Sequence, residues 1–156
     1  MRVEAAQFHL AQANVARVRA PIDSPELAEF VALLEPINAI ADTSPGFVWR
    51  LQSDEGDATS ISVFDDDELL VNMSVWSTVE ALRTFVFQTR HLDVFKRRAE
   101  WFHVHVEAHL ALWWIPAGGI PSVGDAEERV SHVRAHGPTP YAFTFTSVFE
   151  PTGAPA

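Results

Sequence analysis

No cysteine occurs in the 156 residues, which removes disulfide frameworks, thiol nucleophiles and thiolate metal sites. Basic residues are scarce. Eleven Lys and Arg stand against 21 Asp and Glu, a formal net charge of −10. A nucleic-acid partner, which needs a basic face, is therefore not expected, and nor is an anionic membrane surface. Long apolar runs are missing too, and none approaches the roughly 18 residues of a membrane span. The start, Met1-Arg2-Val3-Glu4, lacks an uninterrupted apolar core, so no signal peptide is read and the cytoplasm is the default expectation. Neither a Ser-His-Asp arrangement nor a glycine-rich phosphate loop appears, which sets hydrolases and nucleotide enzymes aside. Tyrosine occurs once, against five Trp and eleven Phe. Those rings bring large apolar area, suited to a core or to a pocket wall.

What is present reads as one domain over residues 1–150, with a loose Pro/Gly/Ala tail at 151–156. Phe8–Val18 alternates as a strand. Ser24-Pro25-Glu26 opens a helix, with Ser24 placed to cap and Pro25 at the first helical position. Leu27, Phe30, Val31, Leu34, Ile37 and Ala41 then recur at helical spacing. Pro36 predicts a kink or break, because its ring crowds the carbonyl of Ala32. Ser44-Pro45-Gly46 stops that helix. Phe47–Leu51 and Leu69–Trp76 read as two antiparallel strands, joined by an acidic loop (Asp54, Glu55, Asp57, Asp65–Glu68) that lacks calcium-loop spacing and reads as solvated. Ser77 and Glu80 form a capping box for the next helix, with Val79, Leu82, Phe85 and Val86 inward. A second helical piece covers Leu92–Arg98. His109–Ile115 is a strand, Ser122 caps a helix over 123–136, and Phe143–Phe149 alternates as a last strand.

This order predicts an α+β fold: a ferredoxin-like βαββαβ unit with an added C-terminal helix and strand. Alternation sorts the strand residues into two faces. Ala11, Ala13, Val15, Phe47, Trp49, Leu51, Val71, Met73 and Val75 form a wholly apolar set, expected to meet the helices. Leu10, Gln12, Asn14, Val48, Arg50, Leu70, Asn72, Ser74 and Trp76 mix amides, a guanidinium and a hydroxyl with apolar groups. This second face is expected to be free of helices. Two protomers packing it together would enclose a pocket.

Four stretches carry a resemblance: Ser44–Leu51, Val71–Trp76, Leu112–Gly118 (Leu-Trp-Trp-Ile-Pro-Ala-Gly) and His136–Pro140 (His-Gly-Pro-Thr-Pro). With them the chain, from about Phe8 to Phe149, resembles an uncharacterised domain-of-unknown-function family. That family is similar to the dimeric α+β barrel superfamily of cofactor-independent antibiotic-biosynthesis monooxygenases, haem-degrading monooxygenases, chlorite dismutase-like proteins and stress-response barrels. The resemblance implies a homodimeric barrel with a small-molecule ligand. The family pattern has His after Ala117-Gly118, where this chain has Gly119.

For a cofactor-independent monooxygenase acting on an aromatic or enolisable substrate, Asn14, Asn72 and Arg50 are the candidates to stabilise an oxyanion. His91 is the candidate base. Gln12, Ser74, Trp76 and Phe85 are the candidate substrate contacts, Trp76 by stacking. One alternative is a haem-binding barrel. In the haem-degrading members an axial His lies on the second helix and an Asn on the first strand, places comparable to those of His91 and Asn14. Another alternative is a non-catalytic ligand-binding or stress-response barrel. A further metal reading rests on His103, His105 and His109 with Glu107, which project to one side of an extended strand.

Overall fold

The computed structural model describes residues 7–53, 59, 61–104 and 109–156. In chain order its elements are β1 (Phe8–Arg17), α1 (Ala28–Thr43), β2 (Phe47–Arg50), β3 (Leu69–Trp76), α2 (Val79–Gln88), α3 (His91–Lys96), β4 (Leu110–Pro116) and α4 (Val123–His136). The strands form one antiparallel sheet in the order β2-β3-β1-β4. β3 thus lies between β1 and β2, the split βαβ arrangement of a ferredoxin-like α+β fold.

Local chemistry sets most boundaries. α4 begins at a reciprocal cap: Asp125 N–H donates to Ser122 Oγ at 3.1 Å, and Ser122 N–H donates to Asp125 Oδ2 at 2.8 Å. It ends at Gly137, at φ 72°. Gly46 is required twice over. Its φ is 81°, and a Cβ there would lie 2.5 Å from Ala81 Cβ and 2.7 Å from Ser77 Oγ. The Ser-Pro-Gly turn can therefore lie directly on the start of α2.

Some local expectations need correction. The cap of α2 is Thr78, whose Oγ1 accepts from Ala81 N–H at 3.0 Å; Ser77 lies one residue outside. Ser24 makes no side-chain cap bond, and a 3-10 turn at Pro25–Leu27 precedes α1. Pro36 does not break α1, which runs through it. The helix is anchored on both sides of the proline, by Phe30 and Leu33 beside Trp101 and by Ile37, Ile40 and Ala41 beside Trp76. That packing outweighs one lost hydrogen bond. Phe143–Phe149 is not a strand. Phe143 exchanges two backbone bonds with Leu112, at 2.7 and 2.8 Å, and a turn from Thr144 to Ser147 then stops the pairing. Phe145, Val148 and Phe149 pack onto the Trp76 cluster as an irregular cover. The tail turns back, with Glu150 N–H bonded to Ala154 O at 2.7 Å and Ala156 N–H to Val148 O at 2.9 Å.

The largest correction concerns the faces. The wholly apolar set does form a core, of Ala11, Ala13, Val15, Val71, Met73, Val75, Ala111 and Trp113. However, it is α4 that covers it, through Ala126, Val130 and Val133. Helices α1 and α2 cover the mixed face instead, where Ile37, Ile40, Ala41, Leu82 and Phe85 meet Leu10, Trp76 and Leu112. A bulge between Phe47 and Trp49 turns Phe47 to this side as well. Among the described residues no helix-free sheet face remains, so two protomers cannot enclose a pocket by packing the mixed faces together. The added helix is the physical reason: small residues on β1 and β4 leave room for it.

Candidate functional site

Two apolar clusters lie between the helices and the mixed face. One is built round Trp76, Phe85 and Phe143, the other round Leu27, Trp101 and Phe30, with Leu70 at its edge. Between them the sheet carries polar side chains. Strand register sets Gln12 beside Ser74, Ser74 beside Arg50, and Asn14 opposite Asn72. Gln12 and Ser74, at 5% and 8% exposure, are the buried polar side chains among the described residues. Burying them requires partners. Gln12 Nε2 donates to Asn72 Oδ1 at 2.6 Å and to Ser74 Oγ at 2.9 Å. The Trp76 indole N–H donates to the same Ser74 Oγ at 2.8 Å. Asn72 is exposed, although it lies on a central strand with buried neighbours on either side. Solvent therefore reaches the sheet at this point, between the two clusters. Asn14 beside it is half-buried.

The other candidate residues lie round this group. Arg50 Nε donates to Asp42 Oδ1 at 2.8 Å, with Arg50 mostly covered, so its charge is held by α1 rather than presented to a ligand. Trp76 is fully buried; Phe85 stacks on it at 5.2 Å and 27° between planes, and Phe47 meets it edge-on at 5.5 Å. Its faces are thus in contact with rings of its own chain. His91 packs against Phe85, with ring centroids 4.9 Å apart. Its Nδ1 lies 3.3 Å from the Val86 carbonyl, which can only accept, so Nδ1 carries the proton and Nε2 is the basic nitrogen. Burial pulls the His91 pKa below the usual imidazole value, and the Val86 carbonyl opposes that only in part. The structure therefore joins Gln12, Asn72, Ser74 and Trp76 directly. Phe85 is added through Trp76, and His91 is set two rings away.

A cleft of about 360 Å³ opens between the Ser44–Gly46 turn and α2, lined by Ser44, Gly46, Ser77, Thr78, Thr84, Phe85 and Thr89 among others. In the sequence two of these residues, Ser44 and Ser77, read as helix punctuation. Phe85 is the side chain shared by this cleft and the Trp76 stack. A haem on His91 would need an open slot at Nε2. His91 lines neither this cleft nor a smaller one of about 70 Å³ at Thr59–Leu69. Neither of these clefts offers His91 Nε2 a haem slot. Among the described residues no three His, Asp or Glu side chains converge to hold a metal. His103 and His109 are exposed, and His105 and Glu107 lie outside the described residues. Gly119 sits in a turn closed by its N–H on Pro116 O at 3.0 Å, and a Cβ there would lie 3.1 Å from that same oxygen. No described helix is long and apolar enough to cross a membrane.

Known structures of similar fold include SnoaB, a cofactor-independent oxygenase from Streptomyces nogalater, at 21% identity and TM-score 0.43, covering 72% of this chain and 95% of that one. A protein described as an antibiotic biosynthesis monooxygenase from Nitrosomonas europaea matches at 14% identity and TM-score 0.46, over 77% and 96% of the two chains. A monooxygenase from the gene ActVA-Orf6 of Streptomyces coelicolor, solved with nanaomycin D, matches at 15% identity and TM-score 0.40, over 76% and 95%. No curated protein matches. The family model described as a domain of unknown function, DUF3291, matches residues 9–156, and the chain belongs to that family.

Proposed function

We propose that this protein is a small-molecule enzyme of the cofactor-independent monooxygenase type. Its substrate is aromatic or enolisable, with the reacting oxygen against Asn72 and Ser74, on the helix-covered face of the sheet. The observation that carries the reading is the pair of buried polar side chains, Gln12 and Ser74, leading to an exposed amide on a central strand. A purely structural sheet face has no need of them, and burying them costs free energy unless every bond is kept.

Without a cofactor the substrate itself is the reductant. Ionisation next to a carbonyl or on a phenol gives an electron-rich anion, which passes one electron to dioxygen. Recombination forms a peroxide, and loss of water leaves a carbonyl, so that CH2 + O2 becomes C=O + H2O. The protein's part is to favour the anion and hold it. Asn72 and Ser74, with Asn14 at the rim, supply donors aimed at the oxygen. Trp76 acts from behind, through its N–H on Ser74. Arg50, neutralised by Asp42, adds only a weak field. His91 can take the proton only if the Trp76–Phe85 stack opens; with the stack closed, water at Asn72 takes it.

The test is oxygen uptake by the purified protein over a panel of polycyclic phenols and anthrone-like ketones, with haem and metals left out. One dioxygen consumed per carbonyl formed is expected. Asn72→Ala should cut turnover by about 10²–10³-fold, the usual cost of one oxyanion donor. Ligand binding with no uptake across the panel would replace this reading with the non-catalytic one. His91→Gln should leave the pH profile of turnover unchanged, and loss of its acid limb would make His91 the base.

A further inference from the structure

Charge is spread unevenly along this chain. Residues 83–98 hold five of its 11 Lys and Arg and one of its 21 Asp and Glu, a formal +4 against −14 for the remainder. They cover part of α2 and all of α3. Elsewhere Arg17 is paired with Asp66 and Glu68, and Arg50 with Asp42. Within the segment Arg97 is paired, with Glu29 and Glu100. Arg83, Arg90, Lys96 and Arg98 are exposed and meet no carboxylate among the described residues. The same segment carries the exposed phenylalanines among the described residues, Phe87 at 38% and Phe95 at 37%. Their rings meet edge to face at 6.0 Å, and Phe87 also meets Phe145, at 5.7 Å. Arg98 lies over Phe95 at 4.0 Å and Arg83 over Phe145 at 5.3 Å. The five groups make one stripe, three rings with an arginine at each end, at most about 21 Å long or about six residues of extended chain. Each end guanidinium is also held by a backbone carbonyl, Arg83 by Phe145 O at 2.9 Å and Arg98 by Phe95 O at 2.7 Å, which leaves other N–H groups to donate.

We propose that this stripe docks a segment of another protein that is apolar at its centre and acidic at its ends. Its apolar side chains lie on Phe87 and Phe95, and its carboxylates meet Arg83 and Arg98. Charge complementarity carries the assignment: cations left unneutralised in a chain of net −10 frame an exposed apolar strip, and anchored guanidiniums lose little freedom on binding. A second copy paired about a twofold axis through the stripe would set arginine against arginine. Single-stranded nucleic acid stacks on open ring faces, whereas these rings are edge-on to one another and Arg83 and Arg98 lie over two of them. An anionic membrane is repelled by the remainder of the chain. None of these residues belongs to the Gln12 group, so the proposal stands apart from the oxygenase reading.

The probe is a blocked peptide, Asp-Glu-Leu-Phe-Leu-Phe-Glu-Asp, titrated calorimetrically into the full chain beside a neutral counterpart with Asn and Gln at its ends. The acidic peptide should bind about tenfold tighter. Raising NaCl from about 0.05 to about 0.5 M should erase that advantage. Arg83→Glu combined with Arg98→Glu changes two exposed side chains, with the fold checked by circular dichroism. It should remove the acidic preference and favour a Lys-ended peptide, while Phe87→Ser should weaken both original peptides. Equal binding of the acidic and neutral peptides, no binding of either up to about 1 mM, or an acidic preference that survives the double reversal would overturn the proposal. So would tighter binding of oligothymidylate or of phosphatidylserine vesicles than of the peptide, or dimerisation that the double reversal abolishes.

Discussion

The two faces of the sheet use the same backbone for opposite purposes. Under α4 the buried side chains of the sheet are apolar and most are small: Ala11, Ala13, Val15, Val71, Met73, Ala111, with Trp113 as the buried ring and Trp49 and Phe64 packed against the edge. Under α1 and α2 the rings are larger, yet two buried polar groups and an exposed amide interrupt them. A chain of this size can fill both faces with apolar residues. One face is filled in that way, so the polar interruption of the other is not a shortage of hydrophobic material. Both faces contribute a core, and the proposed chemistry lies on the one that carries polar groups.

Breaking the α4 side should cost the most. Trp113 is 1% exposed, and Trp113→Ala should lower unfolding free energy by about 3–5 kcal/mol in denaturant titration. Turnover per folded molecule should stay the same; a loss of activity exceeding the loss of folded protein would mean the faces are coupled. Asn72→Ala is the opposite case, with turnover reduced as stated above; it leaves one N–H of buried Gln12 without its acceptor and should cost about 1–3 kcal/mol of stability. Ser122→Ala removes the cap of α4 and should cost about 1 kcal/mol of stability with no effect on ligand binding.

The smallest effect is one of pH. The His91 pKa is held down by burial, so below the ordinary imidazole range the unfolded chain binds a proton that the folded chain refuses. Stability should therefore fall as pH drops through about 6.5, and level off once folded His91 also protonates. His132 adds in the same direction, its pKa lowered first by desolvation and then by His136 and Arg129. His91→Gln should flatten this acid limb without abolishing it, as read from melting temperature against pH.

The sequence made the elements legible where local chemistry settles them. β3 announces itself by composition, and α4 by Ser122 ahead of its apolar spacing. The side chains of the polar group could be picked out too, because alternation alone sets Gln12, Asn72, Ser74 and Trp76 on one face. The covering of that face was not legible. Periodicity shows that a helix has an apolar side but not which sheet face will receive it; the helices divide between the faces, α4 on the wholly apolar one and α1 and α2 on the mixed one. The alternating phenyls of Phe143–Phe149 misled for a related reason. Their common side matches one cluster, but Thr144 and Ser147 close a turn that propensity does not foresee. Arg50 read as a candidate oxyanion partner because Asp42, which it meets, lies eight residues away on another element.

The opening at Asn72 divides the layer beneath the helices into two compartments, spanned by α1 as a beam with one end in each. Such a layer need not melt as a slab. The compartment of Trp101, Leu27 and Phe30 can part from the sheet while Trp76 and Phe143 stay shielded, so backbone amides at the two ends of α1 should exchange with deuterium at separate rates, with Pro36 close to the boundary.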